Sequence, residues 1–286
     1  MVSLASGAVL DLAIGPYSGK GTGEHGLLRQ LMHNFNRGDV ILGDCYYASF
    51  FLMAELMKLG VDAVFPIHSA RDCDFRRGRQ LGKKDHLVEW KKPAKPAWMD
   101  EETYHSYSAT ITVREVSVSH QQKGGRSTSR VLATTFIDAS EVSKEEMSSL
   151  YNCRWFVEIN LRAIKGTMRM DILRSKTPEM VRKEIWAHLL AYNLIRKIMA
   201  QAAVLYNRTP SELSFKLAMQ TISAFRQAGI LSENNIAVYN ELLKAIGYKK
   251  VGNRPGRSEP RKVKRRSKSF SLLQKPRASY HQKKAA

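Results

Sequence analysis

Cysteine is scarce in this chain, and the three present (Cys45, Cys73 and Cys153) form an odd, scattered set with no C-x-x-C pair. That excludes a disulfide framework, argues against a thiolate zinc site, and fits a reducing cytoplasm. The eight histidines show no ligand spacing either. Acid is in short supply: 26 Asp and Glu stand against 46 Lys and Arg, a net charge of +20. Such a deficit points to a polyanionic partner, nucleic acid before membrane. No uninterrupted apolar run reaches membrane-spanning length. Ile185–Tyr206 comes nearest, but His188, Asn193, Arg196 and Lys197 mark it as a buried helix. The N-terminus lacks a basic n-region and Asp11 breaks its apolar stretch, so it does not read as a signal peptide. The expected setting is the cytoplasm, with no membrane partner.

What is present is unevenly placed. Residues 250–286 hold 13 Lys and Arg and a single acid, Glu259, so the tail is strongly basic and the body only mildly so. The run NRPGRSEPRKVKRRSKS has no periodicity and reads as extended or disordered when free. With 286 residues and 43% apolar content, the remainder is long enough for one or two domains with a sizeable core.

Residues 2–14 read as strand, turn, strand, followed by a glycine-rich loop, Gly15–Gly23, that lacks the P-loop order of Gly, Lys and Ser/Thr. A helix is expected over Glu24–Phe35, a fully apolar strand over Val40–Gly43, a helix over Tyr46–Leu59 ending at Gly60, and a buried strand over Val61–Ile67. Short apolar strands alternating with helices imply parallel pairing under covered faces. In such sheets, acids at strand carboxyl ends line the functional crevice, and Asp44 has that position. Residues 70–128 turn polar and basic, with Val113–Val118 alternating as a half-exposed antiparallel strand does. They read as a β-rich insertion. A buried strand returns at Val131–Ile137. Ser143-x-x-Glu146 is a capping box opening the helix that carries Glu158, Thr177–Pro178 opens a second long helix to about Ala203, and a helical pair lies between Ser211 and Gly247.

The segment YNCRWFVEINLRAIK, Tyr151 to Lys165, carries the densest chemistry. At about 100° per residue, Tyr151, Arg154, Glu158 and Lys165 fall within roughly 60° of one another on a helix, with Arg162 on the same stripe. Trp155, Ile159 and Ala163 would form the adjacent apolar face. One acid ringed by cations and a phenol suits holding a metal ion beside a phosphate backbone. Arg154–Glu158 and Glu158–Arg162 are also i,i+4 pairs of the kind found on an ordinary solvated helix.

Tyr151, Arg154, Glu158 and Lys165 match a Y-x2-R-x3-E-x6-K signature residue for residue, and the chain resembles the cut-and-paste bacterial transposases of the insertion-sequence-four family, which use an Asp-Asp-Glu triad. LASGAVLDLAIGPY, EHGLLRQLM, GDVILGDCYY and RPGRSEPRKVKRR also look like segments of that family, in the right order. The resemblance implies an α/β, ribonuclease H-like mixed sheet with flanking helices, interrupted by a β-rich insertion, then a helical and basic C-terminal region. The implied division is 1–69 and 129–206 for the catalytic core, 70–128 for the insertion, 207–248 for C-terminal helices and 249–286 for the tail. It makes Asp44 the second catalytic acid and Glu158 the third. Tyr151, Arg154, Arg162 and Lys165 would then contact DNA near the scissile phosphate, and Trp90 or Trp98 would be placed to stack on an extruded base. It also implies two Mg2+ or Mn2+ ions about 3.5–4 Å apart, strand hydrolysis and transfer at transposon ends into target DNA, a homodimeric synaptic complex and association with the nucleoid.

The family's first catalytic Asp, on the first strand of its sheet, has no match here; Asp11 aligns with a non-catalytic position. The sequence therefore reads as an N-terminally truncated transposase. Its alternative is a catalytically dead, DNA-binding or inhibitory fragment. A basic RNA-binding protein is suggested only by the tail, which supplies affinity without specificity.

Overall fold

Helix α1 (Glu24–Leu31) precedes β1 (Val40–Leu42), α2 (Phe50–Leu59) and β2 (Asp62–Pro66) in a computed structural model that describes residues 1–16, 23–68, 71–120, 128–228 and 235–252. Residues 17–22 of the glycine-rich loop and the tail from Asn253 lie outside the described residues. Helix α2 ends where the sequence says it should: Gly60 adopts φ 68°, and its N–H reaches the carbonyls of Leu56 and Met57. Only a residue without Cβ takes that left-handed turn cheaply. The helical crossover lets β1 and β2 pair in parallel, Ile41 opposite Ala63 and Leu42 opposite Val64.

Strands β3 (Arg79–Gly82), β4 (Asp85–Lys91), β5 (Thr110–His120) and β6 (Thr128–Thr134) follow, with the short helix α3 (Glu101–His105) between β4 and β5. All six strands form one mixed sheet in the order β1–β2–β6–β5–β4–β3, antiparallel everywhere except β1–β2. The strands drawn from 70–128 thus extend the same sheet as β1, β2 and β6.

Period-two alternation divides this sheet's side chains between two cores. On one face Ala63, Phe65, Trp90, Val113 and Ala133 pack with α2. On the other, Val64, Val116, Val118 and Leu132 pack with Met147 and Tyr151, and Leu42 joins them. Strand β5 departs from the expected half-exposed alternation, since Val113, Arg114, Glu115 and Val116 are all buried. Polar residues survive there because each has partners. Arg114 grips Asp85 with two hydrogen bonds, 2.8 and 2.6 Å, and donates a third to the Val142 carbonyl. Glu115 faces His86 across the ladder.

Helices α4 (Lys144–Asn152), α5 (Trp155–Arg162), α6 (Pro178–Val204), α7 (Phe215–Gln227) and α8 (Ile236–Tyr248) follow among the described residues. The Ser143 capping box is present, and the Thr177 side chain caps α6. A third core joins α6, α7 and α8 around Tyr192, Met199, Ala218, Leu242 and Ile246. Helix α6, expected from the sequence to be buried, is buried on one face only. Leu189, Tyr192 and Met199 face the core while Trp186, Leu190 and Leu194 are half or more exposed. Among the described residues no helix is long and apolar enough to cross a membrane.

The expected strand over Val9–Ile14 does not form; only a Val2–Val9 bridge remains. Helix α6 takes the backbone groups that a ladder would have used. Asn193 bonds both the N–H and the C=O of Val9, the Tyr192 hydroxyl donates to Gly7, and buried Arg196 donates to Ser6.

Candidate active site

Asp44 lies two residues beyond the end of β1. Gly43 before it approaches the sheet closely: a Cβ there would lie 2.8 Å from the Phe65 ring and 2.9 Å from that of Tyr47. Gly43 therefore turns toward the α2 side. Asp44, in extended backbone two residues beyond Leu42, lies close enough to Tyr47 that its charge adds to burial and Glu24 in raising that phenol's pKa. Its side chain accepts the Tyr46 N–H at 2.9 Å and caps a 3-10 turn, Cys45–Tyr47, so the helix expected from Tyr46 begins only at Phe50. Asp44 is exposed.

The signature segment is not one uniform helix. Helix α4 ends at Asn152, and Glu158 belongs to α5. Between them Cys153, Arg154, Phe156 and Val157 donate to the carbonyls three residues back, the tighter 3-10 pattern. In that geometry residues i and i+3 eclipse, which brings Arg154 over the Tyr151 ring, 5.9 Å from its centroid. Beyond Arg162 the backbone widens into a π turn, Ala163–Thr167, that carries Lys165. The single stripe drawn with a uniform 3.6-residue period is corrected accordingly. Tyr151 is buried in the sheet core, Ala163 and Ile164 in the helical core, and Arg154 and Glu158 lie half-exposed between them. Trp155 and Ile159 form no buried face; both are exposed.

Arg154 and Glu158 form an ion pair, Nη2 to Oε1 at 2.7 Å, with the carboxylate side chain 39% exposed. That openness leaves the pair screened by water, so it positions Glu158 more than it stabilises the fold. Arg162 and Lys165 are exposed. Burial raises the Tyr151 phenol above its ordinary pKa, while Arg154 and Arg130 beside it act the other way. Arg130 was missed from the sequence. The available signal was that it lies two residues before Leu132 on β6, and so on the same sheet face as Tyr151.

Trp90 does not present a stacking surface. It is buried, its indole N–H donates to Glu115 at 2.8 Å, and Arg71 covers its ring at 3.6 Å. Trp98 is 54% exposed, with Arg29 over one face. Asp11 is engaged locally: it accepts the Leu12 N–H and the Asn34 amide, both at 2.7 Å, and these bonds lower its pKa. A second polar cluster, Cys73, His86 and Glu115, also escaped sequence reasoning, because its members lie 13 and 29 residues apart in no metal-binding register.

Asp44 and Glu158 are each, by donor type, suited to a hard divalent cation. Both are carboxylates that reach solvent, and one oxygen of each is oriented, by the Tyr46 N–H and by Arg154. Arg154 beside Glu158 offers a planar fork of the kind that matches phosphate oxygens.

Comparison with known proteins identifies the family. A family model described as the transposase DDE domain matches residues 1–194. The chain is 31% identical over 253 residues to the transposase InsG for insertion sequence element IS4 of Escherichia coli K12, covering 85% of this chain and 54% of that protein. A 69-residue stretch is 36% identical to the putative transposase InsL for insertion sequence element IS186A of the same strain, covering 24% of this chain and 19% of that protein. The transposase for insertion sequence element IS421 of Escherichia coli matches to the same extent. The chain thus spans about half the length of InsG and about a fifth of the others.

Proposed function

We propose, from the premise that this chain belongs to the DDE transposases of the insertion-sequence-four group and has their ribonuclease H-like fold, that it is the strand-processing part of a cut-and-paste transposase. Its reaction is phosphodiester hydrolysis and strand transfer at transposon ends. Asp44 and Glu158 hold the divalent cation, Mg2+ or Mn2+. When bound, that cation polarises a phosphoryl oxygen and favours ionisation of the attacking group.

The chain's own residues do the rest. Arg154 fixes the Glu158 carboxylate and turns its remaining donors toward a phosphate, where a guanidinium matches two oxygens at once. The buried Tyr151 ring holds Arg154 in place from below. Arg162 and Lys165, exposed on the following turns, and Arg130 on β6 neutralise backbone charge. The observation that carries this reading is the half-exposed Glu158–Arg154 pair above a Tyr151 that packs in the same cluster as Leu42, two residues before Asp44.

A second reading is a DNA-binding segment that does not cleave. It is favoured by a site assigned on two carboxylates, Asp44 and Glu158. Plasmid nicking by the purified chain in Mg2+ or Mn2+ separates the two. Nicking that disappears in Glu158→Gln and Asp44→Asn, with DNA binding retained, is the result expected of the enzyme. Tight DNA binding with no nicking in any metal would leave only the second reading, and nicking indifferent to both substitutions would refute the assigned residues.

A further inference from the structure

We propose that Cys73, His86 and Glu115 form a zinc site, separate from the Asp44–Glu158 pair, that fastens the loop after β2 to strands β4 and β5. The three come from different parts of the chain. Cys73 lies in the loop before β3, and His86 and Glu115 are directly opposed across the β4–β5 ladder. His86 and Glu115 are almost completely buried and Cys73 partly so. Their donor atoms converge: Cys73 Sγ is 2.8 Å from Glu115 Oε2 and 3.9 Å from His86 Nε2, and Nε2 is 3.1 Å from Oε2.

The hydrogen-bond pattern selects a cation. His86 Nδ1 lies 2.6 Å from the Arg77 carbonyl, which can only accept, so Nδ1 carries the proton. In the neutral ring Nε2 is then a lone pair, and it points at a carboxylate oxygen that is also an acceptor. A proton, on the ring or on the carboxyl, or a metal ion must therefore stand between the two. A backbone carbonyl fixing the distal nitrogen is the usual support of a metal-bound histidine. Glu115 is fixed likewise, its other oxygen accepting the Trp90 indole N–H.

Donor type and spacing favour zinc. A thiolate, an imidazole and a carboxylate together match zinc and disfavour Mg2+, which prefers oxygen alone. Bonds of about 2.0–2.3 Å in a tetrahedron give ligand-to-ligand edges of about 3.3–3.6 Å. Each observed separation needs a shift of less than about 1 Å to meet them. The partly exposed Cys73 side gives the ion its entry and leaves the fourth position to water. The gain is order: residues 71–78 have no regular helix or strand, and a three-point anchor would fix them against the sheet.

The untagged full-length chain should be purified without chelators, then assayed for metal by mass spectrometry and for absorption after cobalt substitution. About one zinc per chain is expected, with a thiolate-to-cobalt charge-transfer band. Chelation should lower the melting temperature, and added zinc should restore it. Cys73→Ser should lose the band and the chelator response, whereas Cys45→Ser/Cys153→Ser and Glu158→Gln should keep both. If Cys73→Ser does not fold, the Cys45→Ser/Cys153→Ser protein still decides, since its band can come only from Cys73. A wild-type chain that takes up no zinc at micromolar concentration, or a band absent from the Cys45→Ser/Cys153→Ser protein, would overturn the proposal and leave a buried His86–Glu115 hydrogen bond.

Discussion

Replacing Arg114 by Ala should be among the most damaging single changes in the sheet. Arg114 is fully buried and the Asp85 side chain 7% exposed, so solvent does not screen their attraction. Truncation leaves the Asp85 carboxylate buried without its partner, which costs about 3–5 kcal/mol. It also orphans the Val142 carbonyl in the loop before α4, a loss of about 1–3 kcal/mol if that oxygen stays dry. The two penalties overlap, so the upper half of the first range is expected. At about 2–4 °C per kcal/mol for a chain of this size, the melting temperature should fall by roughly 8–20 °C. Thermal and urea unfolding followed by circular dichroism measure it directly. Arg114→Leu/Asp85→Leu is the control: with both charges gone it should be more stable than Arg114→Ala, because apolar replacement of a buried pair is close to neutral. A loss below about 1 kcal/mol in Arg114→Ala, or a double variant worse than the single, would refute the reasoning.

Further outcomes follow from the same geometry. If Arg162 and Lys165 each neutralise one phosphate, alanine at either should reduce the slope of log affinity against log salt by about 1; fluorescence anisotropy over a salt series reads this, and unchanged slopes would remove these residues from the interface. Glu184 accepts the N–H groups of Arg174 and Ser175, and these bonds lower its pKa. A depressed carboxylate stabilises the fold above its ordinary unfolded value of about 4.3 and loses that contribution as pH falls through the folded value. Glu184→Gln should therefore flatten the acid limb of melting temperature against pH, and an unaltered limb would contradict it. Gly43→Ala should push the end of β1 away from Phe65 and Tyr47, depressing metal-dependent nicking more than DNA binding; equal losses of both would mean that Asp44 is not what the glycine positions.

Local patterns carried much of the architecture. Gly60 as a helix stop, the capping box at Ser143 and Thr177–Pro178 are decided within a few residues, so they are legible without neighbours. The apolar runs of β1 and β2 likewise announced a parallel pair, although only β2 is buried and Val40 of β1 is exposed. Periodicity failed where partners elsewhere in the chain intervened. Val113–Val118 read as half-exposed, yet Arg114 and Glu115, on opposite faces of β5, are both buried, and only Asp85 and His86 on the neighbouring strand make that tolerable. The 2–14 segment read as two strands until α6 took its backbone groups.

The sequence by itself determined the family, the basic character and the identity of the signature residues, because these depend on residue type and spacing alone. Tertiary structure decided how those residues are presented. A 3-10 turn at 153–157 and a π turn at 163–167 break the uniform helical phase. Tyr151 is thereby committed to one core and Ile164 to another, with Glu158 open between them. Backbone hydrogen-bond register and long-range packing set that arrangement, and neither is written in the spacing of side chains along the chain.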